Sequence, residues 1–319
     1  MSFDHELKLR RALKHRKEVN GEVGTWLNGN HHTVRYEYDP DSVVAPVLGA
    51  PGGNYMLGGP VFIPGQGPGT APEGIEFGHG LVTALASAED PPADTFSLLI
   101  GDALHNLRSA LDALAYSFAV AFTKPLPKEI ANSSEFPVFG DEDGKGIPGV
   151  GNTMFHQTSK KGDPVPGSGL FKIRGCDPGV QTIIEGLQPY KRGNAFRSHP
   201  LWVLHDLDRI SKHRLLHTTV AAFYGTTWDI QRFRNVRCIG PGMVVSLAGR
   251  IETDTPISRI YGIHPIDPNA EVHVEIQPAI DIAFAPGTPG VDGEPVLSTL
   301  ANLYGYIVTD VLPPLLGFL

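Results

Sequence analysis

Cysteine is scarce in this sequence, with two among 319 residues. Cys176 and Cys238 lie far apart, which excludes a dense disulfide framework and favours two separate thiols, with a disulfide or a shared metal as the alternative. Long apolar runs are missing too. No run approaches the ~18 residues of a transmembrane helix, so we expect no membrane partner. The N-terminal segment lacks an apolar h-region, which predicts no secretory signal and leaves the cytoplasm as the default location.

Positive charge is also in short supply. Lys and Arg number 26 against 34 Asp and Glu, for a net charge of −8. This balance argues against a protein that coats nucleic acid electrostatically, although a local basic groove stays open. Glycine and proline are abundant instead, at 37 and 28 residues. Their number predicts many loops and turns, above all in the Gly- and Pro-rich residues 40–74.

The longest helical pattern covers residues 95–122. Its apolar stripe recurs at three- and four-residue steps, as Phe96, Ile100, Ala103, Leu104, Leu107, Ala110, Leu111, Leu114 and Phe118. The opposite face lacks Lys, Glu and Gln and carries Asp102, His105, Asn106, Arg108, Ser109 and Asp112. We therefore expect a central helix whose first half has a partly enclosed polar face. After Ala113 the sequence is apolar all round, which predicts a second half buried on every side.

Helical patterns also cover residues 3–27, 178–187, 199–216 and 295–312. Alternating patterns predict strands at 33–38, in the short YML and VFI segments, and as five strands in a β-rich block at 218–286. Residues 75–88 are predicted to form a strand followed by a weak helical turn. The predicted fold is α+β: a helical bundle packed with an antiparallel β-sheet and joined by long Gly/Pro-rich loops. We predict a single domain over 1–319, because the last helix is expected to return to the bundle.

The string GDALHNLRSALDALAY at 101–116 resembles a motif, GD-x-LHNLRSALDHL, of a bacterial family without an established activity. FPVFG at 136–140, IEGLQPY at 184–190 and LHDLDRISKHRLL at 204–216 resemble further segments of that family, so the resemblance covers about residues 95–216. It implies a relationship rather than a chemistry.

A more distant resemblance is to HEPN domains, which are helical bundles, often RNases, with Arg followed by His four to six residues later on one helix. Arg108 fits this pattern, but Ala113 stands where the His is expected. The resemblance implies a HEPN-like core in which Arg108 stabilises phosphate charge and His105 or His213 moves protons. A bundle that has lost catalysis, or never had it, is the alternative.

The candidate site combines the polar faces of the two strongest helices. The candidate catalytic residues are His105, Arg108 and His213, and the candidate ligand-binding residues are Asp102, Asn106, Asp112, His205, Arg209 and Lys212. These residues could form an anion or RNA pocket, or a buried network of Asp–Arg and Asp–His pairs that holds two helices in register. A metal at His213 and His217 is a third interpretation, although an HExxH motif is absent.

Three functions therefore stay open at this point. The first is a HEPN-like protein that binds RNA or another anion, with degenerate RNase activity. The second is a protein that binds a small anionic ligand. The third is a structural or assembly protein, packed as a homo-oligomer, in which the polar helix motifs only hold the fold. We predict no metal and no cofactor.

Overall fold

The computed structural model describes residues 4–29, 31–43, 56–57, 79–140, 155–222, 226–234, 236–265, 269 and 271–319. It confirms an α+β fold with antiparallel sheets. The chain forms two compact units. The first comprises 1–22, 92–218 and 284–319, and the second comprises 23–91 and 219–283. The predicted VFI strand and most of residues 40–74 lie outside the described residues.

The last residues of the first helix, from Val23 on, belong to the second unit, and otherwise the first unit contains all the described helices. They are α1 (Asp4–Leu27), α2 (Ala93–Phe122), α3 (Lys128–Ala131), α4 (Gly169–Ile173), α5 (Pro178–Gly186), α6 (Pro200–His213), α7 (Val296–Tyr306) and α8 (Leu312–Leu315). A 3₁₀ segment (Pro189–Ser198) precedes α6, a π-helical turn (Ile307–Val311) joins α7 to α8, and a 3₁₀ turn (Leu316–Phe318) follows α8. The α6 helix is shorter than the predicted 199–216 because Arg214 is extended, with φ −162° and ψ 163°.

The α2 helix packs against α6 and α7 through its predicted apolar stripe. Phe96, Ile100, Leu104, Leu107, Leu111, Leu114 and Phe118 are all buried. The expectation that the second half is buried on every side is wrong, because Tyr116, Val120 and Phe122 are exposed. The stripe keeps its helical period to the end of α2, and the apolar residues outside it face away from the core.

Two glycines lie inside α1, which runs through both without interruption. A Cβ added at Gly24 would meet no described atom within 4 Å. We expect Gly24→Ala to raise the free energy of unfolding by about 0.5–1 kcal/mol, because alanine restricts the unfolded chain and favours helix. Chemical denaturation measures this change.

Gly162 is the matched control for Gly24. A Cβ added at Gly162 would also meet no described atom within 4 Å, but the φ of +87° at this residue is unfavourable for an L side chain. Gly162→Ala should therefore lower stability. Equal effects of the two substitutions would contradict the assignment of Gly24 to an unstrained helix interior.

The second unit is built on a five-stranded antiparallel sheet in the order β1-β3-β8-β6-β2, with β4, β7 and β10 in a three-stranded sheet and β5 paired with β9. The strands are β1 (His32–Val43), β2 (Met56–Leu57), β3 (His79–Ala88), β4 (Thr218–Ala222), β5 (Thr227–Arg234), β6 (Val236–Ser246), β7 (Gly249–Arg250), β8 (Thr255–Pro265), β9 (Glu271–Gln277) and β10 (Ile280–Phe284). The 218–286 block therefore supplies only part of the main sheet, because β1, β2 and β3 come from earlier in the chain.

Side chains from several strands form the core of this unit. Val82, Ile260, Ile263 and Val272 are buried, and Tyr36, Tyr38, Trp228 and Val274 pack against them. The hydroxyl of Tyr36 donates to the Val272 carbonyl at 2.8 Å, so the partly buried ring has a partner for its polar end. The weak helical turn predicted in the second part of residues 75–88 is wrong, because β3 stays extended to Ala88.

Candidate functional site

A buried carboxylate joins α2 to α6. Asp208 on α6 is 4% exposed; its Oδ1 lies 3.3 Å from Nδ1 of His105 on α2, and its Oδ2 accepts from the Lys212 ammonium at 2.6 Å. The side chains of His105 and Lys212 are about half exposed, at 53% and 49%. We call these three residues the Asp208 bridge. One enclosed acid thus orients an imidazole and an ammonium that both reach the surface.

The surroundings of His105 define its neutral tautomer. A carboxylate can only accept, so Nδ1 carries the proton that Asp208 accepts, and Nε2 keeps its lone pair. The Ser109 hydroxyl lies 3.3 Å from Nε2, one helical turn further along α2. The arrangement therefore leaves the basic nitrogen of His105 facing a hydroxyl at the edge of the site.

Arg108 belongs to a second, more enclosed group. Its Nη2 donates to the Phe136 carbonyl at 2.7 Å and lies 3.0 Å from Oδ1 of Asp112, while the Phe136 amide donates to that same oxygen at 3.0 Å. The Arg108 side chain is 9% exposed, and its Nη1 is buried without a hydrogen-bond partner among the described residues. Burial raises the pKa of Asp112, and the charge of Arg108 opposes that shift. This group fastens the segment after α3 to α2.

His205 on α6 lies within electrostatic range of the same cations. Burial, reinforced by the charges of Arg108 and Lys172, lowers its pKa to about 4, so the imidazole is neutral near pH 7. Lys172 on α4 donates to Glu135 at 2.8 Å. Burial alone would raise the pKa of Glu135, but Lys172, Arg108 and Lys212 outweigh it and leave the pKa below its ordinary value.

Four of the predicted site residues have other surroundings. The side-chain amide of Asn106 donates to the Asp102 carbonyl at 2.8 Å, inside its own helix, and the Asp102 side chain is exposed. Arg209 donates through Nε and Nη2 to Asp206 at 3.1 and 2.5 Å. His213 is exposed in the last turn of α6. Their roles in a site stay predictions.

Three residues at the centre of this region were not among the predicted ones. Asp208 sits beside the apolar stripe of α6, and its spacing to Lys212 was the one available signal. Glu135 and Lys172 come from segments of irregular pattern, whose placement against α2 and α6 follows from the tertiary fold alone. The observed Asp–Arg and Asp–His pairs are of the kind that the buried-network interpretation requires.

No group of three or more His, Cys, Asp or Glu side chains in the described ranges could hold a metal ion. His213 and His217 are therefore not part of such a group. Cys176 is buried, and burial raises the pKa of its thiol to about 12. It is thus kept protonated and unreactive.

The stability of the protein should depend on pH because of two histidines, His199 and His205. His199 caps α6, where its Nδ1 accepts from the Leu201 amide at 3.2 Å and its Nε2 lies 3.3 Å from the Tyr306 hydroxyl. Burial lowers the pKa of His199, like that of His205, from 6.5 to about 4. Folding thus favours the neutral rings, so their stabilisation is complete above pH 6.5 and declines as the pH falls towards 4. We expect each histidine to lower the free energy of unfolding by on the order of 2 kcal/mol as the pH falls from about 7 to about 5.

Urea denaturation across that pH range measures this loss. His199→Asn is the matched variant, because asparagine can still cap the helix but does not titrate. It should remove about half of the pH dependence. A wild-type stability that stays level down to about pH 5 would contradict neutral burial of both rings.

No family model, curated protein or solved structure matches this chain. No helix in the described part of the chain combines the length and the apolar character needed to cross a membrane.

Proposed function

We propose that the α2/α6 face binds the phosphate groups of RNA and that His105 serves there as a proton-transfer group. The observation that carries this proposal is the Asp208 bridge, in which one buried carboxylate orients a half-exposed imidazole and a half-exposed ammonium. Burying a carboxylate is costly, and this one supports two surface groups with the chemistry that phosphate esters require.

The two surface groups have complementary roles. The Lys212 ammonium has N–H donors beyond the one that Asp208 accepts, so it can bind a phosphate oxygen and stabilise its charge. The Nε2 of His105 can accept the proton of a ribose 2′-hydroxyl as that oxygen attacks the adjacent phosphorus. The resulting imidazolium can then protonate the leaving 5′-oxygen, while Asp208 stabilises its charge. A single imidazole in both roles is consistent with a slow, degenerate RNase.

The fold that we propose for this region is a HEPN-like bundle. Packing of α2 against α6 and α7 supports it, together with the position of Arg108 on α2. The enclosure of Arg108 suggests that in this chain its main part is to position the segment after α3, with the surface role passing to Lys212 and His105.

One observation favours a second candidate, a structural or assembly protein. The polar groups of Arg108 and Asp112 form hydrogen bonds with the backbone of Phe136. Such bonds within the protein are expected of a network that only holds the fold. A small anionic ligand is a narrower form of the first proposal, since Lys212 could bind an isolated carboxylate or phosphate equally well.

RNA binding tests the proposal through the fluorescence anisotropy of a labelled single-stranded oligomer at several salt concentrations. Lys212→Gln should weaken binding by about 3–10-fold and lower the salt slope by about one. Lys161→Gln is the matched control, because Lys161 is exposed at a turn outside the site. Competition by inorganic phosphate, nucleotides and carboxylates separates RNA from a small anion.

Cleavage of the same oligomer tests the role of His105. His105→Gln should abolish any cleavage while RNA affinity changes by less than about threefold. Wild-type protein that binds no RNA, or equal losses in Lys212→Gln and Lys161→Gln, would contradict the proposal and favour the structural candidate.

A further inference from the structure

We infer that Ser109 is a nucleophile that accepts acyl groups from activated esters or thioesters. The geometry is a relay in which the Ser109 hydroxyl lies 3.3 Å from Nε2 of His105, and Nδ1 of His105 lies 3.3 Å from the Asp208 carboxylate. These are the three parts that activate a serine: a nucleophile, a base within reach of its proton, and an acid that orients the base.

The placement of the relay follows from the fold. Ser109 and His105 are one turn apart on α2, so they share a face, and the packing of α6 against α2 supplies Asp208 from the other side. Asp208 is buried, whereas His105 is half exposed and Ser109 is only partly buried. The nucleophile can thus meet a ligand from solvent while its orienting acid stays enclosed.

The surroundings of Ser109 also define the class of substrate. It lies in the middle of α2, where backbone N–H groups bond to carbonyls one turn back and are not free to stabilise an oxyanion. Acyl transfer without such donors needs a good leaving group. The substrate class is therefore an activated acyl donor, an aryl ester or a thioester, rather than an amide.

The reaction balances without any further reagent. The Ser109 oxygen attacks the carbonyl carbon as Nε2 of His105 takes the hydroxyl proton. The tetrahedral intermediate collapses, the bond from carbon to the leaving oxygen or sulfur breaks, and that atom receives the proton from His105. Acyl-Ser109 remains, and water activated by His105 then releases the carboxylic acid and restores the serine.

Acylation is independent of RNA binding, although acylation and the proposed RNA cleavage both use His105. Ser109 has no part in the proposed phosphate contacts, so Ser109→Ala should leave RNA affinity unchanged. The acyl transfer needs the Ser109 hydroxyl and His105 but no bound phosphate, so it can be measured without RNA. Failure of one activity therefore does not imply failure of the other.

The test is incubation of the full chain with p-nitrophenyl acetate, followed by p-nitrophenolate release and by mass spectrometry of the acetylated peptide. We expect acetyl on Ser109, and we expect the initial rate to fall at least about tenfold in Ser109→Ala and in His105→Gln. Ser117→Ala is the matched control. Ser117 lies on the same helix, but its hydroxyl donates to the Ala113 carbonyl at 2.8 Å rather than to an imidazole.

Two results would overturn the inference. One is wild-type protein that is acetylated elsewhere but not at Ser109. The other is an acetylation rate at Ser109 that His105→Gln leaves unchanged, which would mean that the imidazole does not activate the hydroxyl. Circular dichroism of each variant tests whether the fold is retained, and we expect His105→Gln to fold because the His105 side chain is half exposed.

Discussion

Arg108→Ala should lower the free energy of unfolding by about 3 kcal/mol. The substitution removes the donor to the Phe136 carbonyl and the cation beside Asp112, whose pKa burial already raises. The Phe136 carbonyl would be left buried without its donor, and the partly exposed Asp112 carboxylate would lose its charged partner. Thermal and chemical denaturation at neutral pH measure the loss.

Two comparisons isolate the cause of that loss. Arg10→Ala removes an arginine whose ion pair with Glu6, at 3.9 Å, is exposed on α1, and it should cost less than about 0.5 kcal/mol. In a double-mutant cycle, Arg108→Ala should lower the free energy of unfolding by about 1–2 kcal/mol less in the Asp112→Ala background than in the wild type, because no carboxylate is then left unpaired. Additive effects would contradict a coupled Arg108–Asp112 pair.

The same variant bears on function. RNA binding by folded Arg108→Ala protein, measured well below its melting temperature, should fall by less than that of Lys212→Gln. Arg108 is enclosed, whereas Lys212 reaches the surface. A larger loss in Arg108→Ala would place the guanidinium in the ligand site, as the HEPN resemblance alone implies.

Much of the helical unit was predictable because its signals are local. The stripe from Phe96 to Phe118 predicted both the extent of α2 and its buried face. Periodicity cannot say how many neighbours a helix has, and so the exposure of Tyr116 and Phe122 was missed. An all-apolar segment fits burial on every side, but here Tyr116, Val120 and Phe122 are exposed.

Long-range pairing was the other limit. The alternation at 33–38 predicted β1, but nothing local indicates that β1 pairs with β3, or that β3 pairs with β8 more than 150 residues later. The site shows the same limit. His105 and Arg108 were found from one helix, whereas the acid that orients His105 comes from α6, and only the packing of two helices brings Asp208 to it.

Gly169→Ala should destabilise the first unit by about 3 kcal/mol, because no space exists for a methyl group. A Cβ at this position would lie 2.2 Å from Cδ2 of Phe155, a ring that is almost completely buried. Phe155 cannot move aside easily, since its ring centroid lies 6.0 Å from those of both Phe139 and Tyr190. The change in melting temperature measures the effect.

The control for Gly169 is Gly186→Ala at the end of α5, where an added Cβ meets nothing within 4 Å among the described atoms. It should change stability by less than about 0.5 kcal/mol. Phe155→Leu tests the mechanism, because a smaller side chain makes room for the methyl group. In that background Gly169→Ala should cost less than half as much. An unchanged cost would mean that the backbone of α4, rather than the Phe155 ring, limits this position.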